Sequence, residues 1–106
     1  MQAVSVHIVR FIDASQPGWV ECALRDAEGQ EWILTDKVPI FTDASLGPSS
    51  PYPQPGWVAC EVIRAWVDTS GLSRCLITTA RPWGVTAQHG ETEFEVFGDQ
   101  ITTRAR

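Results

Sequence analysis

Basic residues are scarce in this chain. Lys37 is the only lysine, and seven arginines are scattered from Arg10 to Arg106. A protein that grips phosphates needs a clustered basic face. None is written here, and the net charge is −5. That balance argues against nucleic acid and against anionic membrane surfaces as partners. Long apolar runs are also missing. No stretch approaches the roughly 18 apolar residues of a membrane-spanning helix. The segment from Met1 to Ile12 is interrupted by Ser5, His7 and Arg10, unlike a secretory signal. The cytoplasm is therefore the expected compartment.

Cysteine is sparse too. Cys22, Cys60 and Cys75 are odd in number and widely spaced, which excludes a disulfide framework by pattern. Zinc sites are usually written as paired short spacings such as Cys-x-x-Cys, and these cysteines form none, so no metal or other cofactor is expected. A Cys–His nucleophilic site with His7 or His89 is conceivable. Strand alternation instead turns Cys22 and Cys60 towards the core, where thiols act as small apolar groups. Phosphate-binding loops, nucleophile elbows and dinucleotide fingerprints are absent as well. The pattern leans away from an enzyme and leaves the question open.

What the chain does have is apolar bulk and an internal repeat. Hydrophobic residues make up 43% of it, with five Trp and four Phe. Its 106 residues fit a single domain spanning 1–106. Residues 16–22 read Gln-Pro-Gly-Trp-Val-Glu-Cys, and residues 54–60 read Gln-Pro-Gly-Trp-Val-Ala-Cys. Asp26-Ala27-Glu28-Gly29 then corresponds to Asp68-Thr69-Ser70-Gly71, Ile33-Leu34-Thr35 to Leu76-Ile77-Thr78, and Pro39 to Pro82. The units run over about 16–39 and 54–82, the second being longer by four residues before its glycine. Each reads as a β-hairpin: a Pro-Gly start, a strand, an Asp-x-x-Gly turn and a second strand stopped by proline.

Alternation supports strands. Val20, Cys22 and Leu24 share one face, and Trp19, Glu21, Ala23 and Arg25 the other. Val58, Cys60 and Val62 oppose Trp57, Ala59 and Glu61 in the same way. Beyond Val62 both faces turn apolar, and a β-bulge would account for the change and for part of the extra length. Residues 58–67 also fit an amphipathic helix, with Glu61, Arg64 and Asp68 outside. The repeat and the β-branched content favour strand. Val4, Val6 and Ile8 mark a first strand, and Phe94 and Val96 a last one, although Thr92-x-x-Glu95 could open a helix within 92–103. The Pro-rich stretch 40–56 joins the units, with Pro48, Pro51, Pro53 and Pro55. Together these elements predict an all-β domain: a small six-stranded barrel or sandwich containing two similar β-hairpins.

Three kinds of function remain. The first is a non-enzymatic protein-binding module, of the immunity-protein or adaptor kind. Its contact surface would be Trp19 and Trp57 with Tyr52, and its partner another protein or a second copy. Tryptophans at equivalent positions opposite the cysteine face suit a binding surface, although they could equally be covered by the chain itself. The second is a small-ligand protein or enzyme using the barrel mouth and late loop 83–91, with Trp83, His89 and Glu91 as its groups. The third is a homo-oligomeric structural subunit joined through the apolar 62–67 stretch. Glu91, Glu93 and Glu95 alternate along a strand and could grip a cation, but edge carboxylates commonly serve only to keep a sheet soluble.

Overall fold

The computed structural model describes residues 1–15 and 17–104. Gln16, which opens the first repeat, lies outside them. The order of elements is β1 (Gln2–Asp13), β2 (Trp19–Arg25), β3 (Glu31–Lys37), α1 (Val38–Phe41), β4 (Gln54–Ala59), β5 (Glu61–Val67), β6 (Ser73–Thr78), β7 (Glu93–Phe97) and β8 (Ile101–Thr103). A single 3₁₀ turn, Gly98–Gln100, separates the last two strands. The fold is mostly β, as the alternation predicts. It has eight strands rather than six among the described residues. The chain from 54 to 67 is two strands, not one, and the end of the chain adds β8.

Two antiparallel sheets form. The first runs β3-β2-β1-β4, with β8 also paired to β1; the second runs β5-β6-β7. β1 organises the first sheet because its 12 residues are long enough to serve three neighbours. Ala3–Ile8 pair with β4 on one edge. On the opposite edge, His7–Asp13 pair with β2 and Gln2–Val4 with β8. The second Gln-Pro-Gly-Trp-Val segment is β4, so the two heptapeptides flank β1 rather than occupying equivalent places in two hairpins. At Cys60 the chain leaves the first sheet for the second, and its N–H donates to Gln2 O at 2.9 Å as the last link to β1. The ladders do not close into a barrel among the described residues.

The bulge expected after Val62 is present. The β5–β6 register shifts between Val62 and Arg64, leaving Ile63 as the extra residue. Both β-strand outcomes for 58–67 and 93–97 follow the apolar pattern rather than the helical alternatives.

The turns, in contrast to the heptapeptides, are truly duplicated. Asp26 N–H donates to Gln30 O at 2.8 Å, as Asp68 N–H does to Leu72 O at 2.8 Å. Asp26 Oδ1 accepts from the N–H groups of Glu28 and Gln30, as Asp68 Oδ1 does from those of Ser70 and Leu72, all at 2.9 Å. Gly29 and Gly71 have φ of +84° and +85°, the left-handed conformation that closes a type I turn with a G1 bulge. A third turn of the same backbone form, Ala87–Glu91, carries alanine where the others have aspartate.

One apolar cluster draws on both sheets. Val4, Ile8, Val20, Cys22, Leu24 and Leu34 come from the first, and Cys75, Ile77, Phe94 and Val96 from the second. Each fully buried aliphatic side chain contributes about 1.5–3 kcal/mol relative to exposure. Sequence 40–56 is not all loop. Pro39, at the start of α1, presets its backbone, and Val38 and Phe41 plunge into the core. Gly56 permits this approach: a Cβ there would lie 2.8 Å from Phe41 O and 2.9 Å from Ile8 Cδ1.

Candidate functional site

The proposed Trp19–Trp57 surface does not assemble as one patch. Both rings lie on the outer face of the first sheet, opposite buried Val20 and Val58, and both are half-buried. Trp19 pairs with Asp13 and Trp57 with Ser5. Eight positions of β1 thus separate the two levels, roughly 26 Å of extended chain, and the two tryptophans flank opposite edges of that strand. Each ring also has a cation of its own. Lys37 Nζ stands 5.1 Å from the Trp19 centroid, and the Arg104 guanidinium 3.3 Å from that of Trp57. Tyr52 belongs to neither, because its hydroxyl donates to Gly47 O at 2.7 Å within its own loop.

The late-loop set is dispersed as well. Trp83 borders a cleft with Trp57, Ile40, Asp43 and Arg104, whereas His89 and Glu91 do not line it. The cleft has a volume of about 60 Å³, well short of the roughly 300–1,000 Å³ of a small-molecule site. Glu91 Oε1 accepts from His89 N–H at 3.1 Å, so this carboxylate completes the third turn. The other carboxylates part company: Glu95 meets Arg74 at 2.8 Å, and Glu93 points to solvent. Among the described residues, no three His, Cys, Asp or Glu side chains come together as a metal site.

The three cysteines are free and buried. Burial pushes the Cys22 and Cys75 thiols up, and raises that of Cys60 to about 11. All three are poorly disposed to form the thiolate that nucleophilic or ligand chemistry requires.

One cluster was not apparent from local patterns. Arg74, on β6, reaches Asp68 in its own hairpin at 2.7 Å, Glu28 in the first hairpin at 2.7 Å and Glu95 on β7 at 2.8 Å. Its guanidinium also lies 5.1 Å from the Phe97 centroid. The three carboxylates hold it firmly cationic, Glu28 contributing most. A signal existed: Arg74 and Trp32 sit six residues after their turn aspartates, and Trp32 Nε1 donates to Asp26 Oδ2 at 2.9 Å. Arg74 ties the two repeats together.

The sheet edges differ sharply. β7 is engaged by the first hairpin, whose Ala27 N–H donates to Glu95 O at 2.8 Å. β3 is bridged through Leu34 to Ala87. β4 is packed by α1. β5 ends its sheet with no strand beside it among the described residues. Its side chains are uncovered too: Ile63 is 45% exposed and Val67 68%, beside Leu72 at 51% in the adjoining turn. Asp68 and Leu72 form a hydrogen-bonded position, so the next along the ladder is Trp66 opposite Arg74. By antiparallel alternation, Val67 and Ala65 then direct their backbone N–H and C=O groups outward. On the outer face, the Arg64 guanidinium lies 4.3 Å from the Trp66 centroid.

No protein-family model matches the chain, and no curated protein or solved structure does either. The reading of function rests on the geometry.

Proposed function

We propose that this chain is a non-enzymatic protein-binding module whose contact surface is the open edge of β5. In this reading the two sheets are the halves of an open sandwich, and the second sheet grows by one strand supplied by the partner. The observation that carries it is the contrast among edges: β3, β4 and β7 meet other parts of the chain, β8 is only three residues long, and β5 has no strand beyond it among the described residues. An exposed edge of this kind offers main-chain hydrogen bonds as affinity and alternate side chains as specificity. Ile63, Val67 and Leu72 supply exposed apolar side chains along it, and Arg64 stacks against Trp66.

The test compares binding by wild type, Val67→Lys and the double variant Trp19→Ala/Trp57→Ala, each checked for native circular dichroism. The expected result is a partner, whether this chain or another, held by wild type and released by Val67→Lys alone. Release by the tryptophan variant, with full retention by Val67→Lys, would move the contact to the first sheet and overturn this reading.

A further inference from the structure

We infer that the tip of the first hairpin, residues 25–31, is a strap over the outer edge of β7, that the Glu28–Arg74 ion pair is its latch, and that the strap lifts without unfolding the rest of the chain. The strap lies at the edge of the second sheet remote from β5, and it stands whether or not β5 binds a partner.

The ladder with β6 decides which backbone groups of β7 face outward. Thr79 N–H donates to Thr92 O at 2.8 Å, so Phe94 and Val96, two and four positions on, are the residues that bond to β6. Glu93, Glu95 and Phe97 direct their N–H and C=O groups away from it. The first hairpin meets them there. Ala27 N–H donates to Glu95 O at 2.8 Å. Gln100 Oε1 accepts from Phe97 N–H at 2.9 Å, while Gln100 Nε2 donates to Arg25 O at 2.8 Å. Arg74 Nη1 donates to Glu28 Oε2 at 2.7 Å. With the strap down, Glu95 O and Phe97 N–H are both taken.

Polar contacts hold the strap, and no apolar side chain locks it. None of residues 25–31 is buried. Burial resumes at the root, where Leu24 is fully buried and Trp32 packs edge-on against Phe94 with centroids 5.4 Å apart. The turn keeps its own shape, because Asp26 Oδ1 accepts from the N–H groups of Glu28 and Gln30 at 2.9 Å. Asp26 Oδ2 accepts from Trp32 Nε1 at 2.9 Å, a bond within the hairpin that does not cross to β7. Segments with few buried apolar contacts open at a lower free energy than the whole fold.

Lifting strands no charge. Arg74 keeps Asp68 at 2.7 Å and Glu95 at 2.8 Å when Glu28 leaves, and the Glu28 side chain is already 73% exposed. Ala27 N–H, Glu95 O and Arg25 O exchange their partners for water, which lowers the net cost of breaking each bond. An ion pair this exposed is weak and screened by salt, as a latch must be if it is to release. Once lifted, the strap leaves the second sheet open at β7 as well as at β5.

The test is amide hydrogen exchange of the full chain, followed by NMR near neutral pH at several sub-denaturing urea concentrations. Wild type is compared with Glu28→Gln and with Glu28→Gln/Gln100→Ala. The Glu28 substitution spares the turn, which uses only the backbone N–H of that residue. In wild type the Ala27 amide should exchange faster than those of Cys22 and Leu34 in the β2–β3 ladder. Its rate should depend little on urea, since lifting exposes little surface. Glu28→Gln should speed exchange at Ala27 by about two- to fivefold, and the double variant by more. Cys22, Leu34 and the turn amide of Gln30 should keep their wild-type rates. Val67→Lys should leave Ala27 unchanged, so the β5 reading and the strap fail separately.

Exchange at Ala27 that follows urea as steeply as exchange at Cys22 overturns the inference, because the strap then opens only with the whole fold. A rate at Ala27 that neither variant alters overturns the latch. Equal acceleration of Ala27 and Cys22 would assign Glu28 to global stability and overturn it too.

Discussion

Arg74 Nε donates to Asp68 Oδ2 at 2.7 Å. The bond joins a turn to the strand that leaves it, and the same guanidinium crosses to Glu28, 46 positions away. One side chain thus couples a local turn to the contact between the sheets. The Asp68 carboxyl is held below its ordinary value of 3.8, first by the Leu72 N–H and then by Arg74. A carboxyl whose folded pKa is depressed adds stability that is present above its unfolded value and lost as pH falls through the folded one. Thermal stability should therefore fall as pH drops below about 4. Asp13, lowered first by the Ser15 N–H, acts in the same direction. In Asp68→Asn the acid limb should flatten in part. Melting curves at several pH values for both proteins check this, and parallel acid limbs would refute it.

Gly56 sits where α1 crosses β4, and its missing side chain is a packing requirement. A Cβ would meet Phe41 O at 2.8 Å and Ile8 at 2.9 Å, one neighbour being backbone and the other in the fully buried core. Gly56→Ala should destabilise by about 1–3 kcal/mol through overpacking. Gly71→Ala meets open space but must hold φ near +85°, and should cost about 1 kcal/mol for that alone. Urea denaturation separates the two, with midpoints falling and slopes unchanged. An unaltered midpoint for Gly56→Ala would mean that α1 does not pack as described.

Much of this fold was written in local patterns. The alternation in β1 and β2, the Asp-x-x-Gly turns and the bulge after Val62 each depend on residues close in sequence. The matched heptapeptides misled in one respect. Val58 and Cys60 carry the same face pattern as Val20 and Cys22, yet the chain changes sheet at Cys60, a choice made by pairing with distant Gln2. The third turn is less strongly marked, as a turn-like Ala87-Gln88-His89-Gly90, because alanine stands where the other two have aspartate. α1 was hidden in a proline-rich stretch because its burial comes from the gap over Gly56, which no periodicity reveals. For the candidate site, the apolar 62–67 run was visible, but its place at an uncovered edge is a property of strand order. Trp19 and Trp57 looked equivalent because their neighbours in sequence match. Their neighbours in space are Lys37 and Arg104.

The cysteines offer a test of core integrity. Cys60 titrates near 11, and burial raises Cys22 and Cys75 as well. At pH 8 the native thiolate population is therefore small, and access is blocked in addition. A thiol-reactive dye should label none of the three at a measurable rate until the protein unfolds, and then all three together. Dependence of the labelling rate on denaturant gives the opening free energy directly. Rapid labelling of one cysteine under native conditions would show that its part of the core opens independently.

The tryptophans can be tested by asking whether they know of one another. Trp19 and Trp57 flank opposite edges of β1 at levels set by Asp13 and Ser5, and each meets a different cation. Substitutions that share no partner and lie beyond about 10 Å add to within roughly 0.3–0.5 kcal/mol. The destabilisation in Trp19→Ala/Trp57→Ala should then equal the sum of the two single effects within that margin. The Arg104→Ala substitution should couple to Trp57→Ala and not to Trp19→Ala, because its guanidinium stacks 3.3 Å from the Trp57 centroid. Both cycles are read from urea unfolding of the same set of variants. A large coupling between Trp19 and Trp57 would require a shared surface that the strand pairing does not provide.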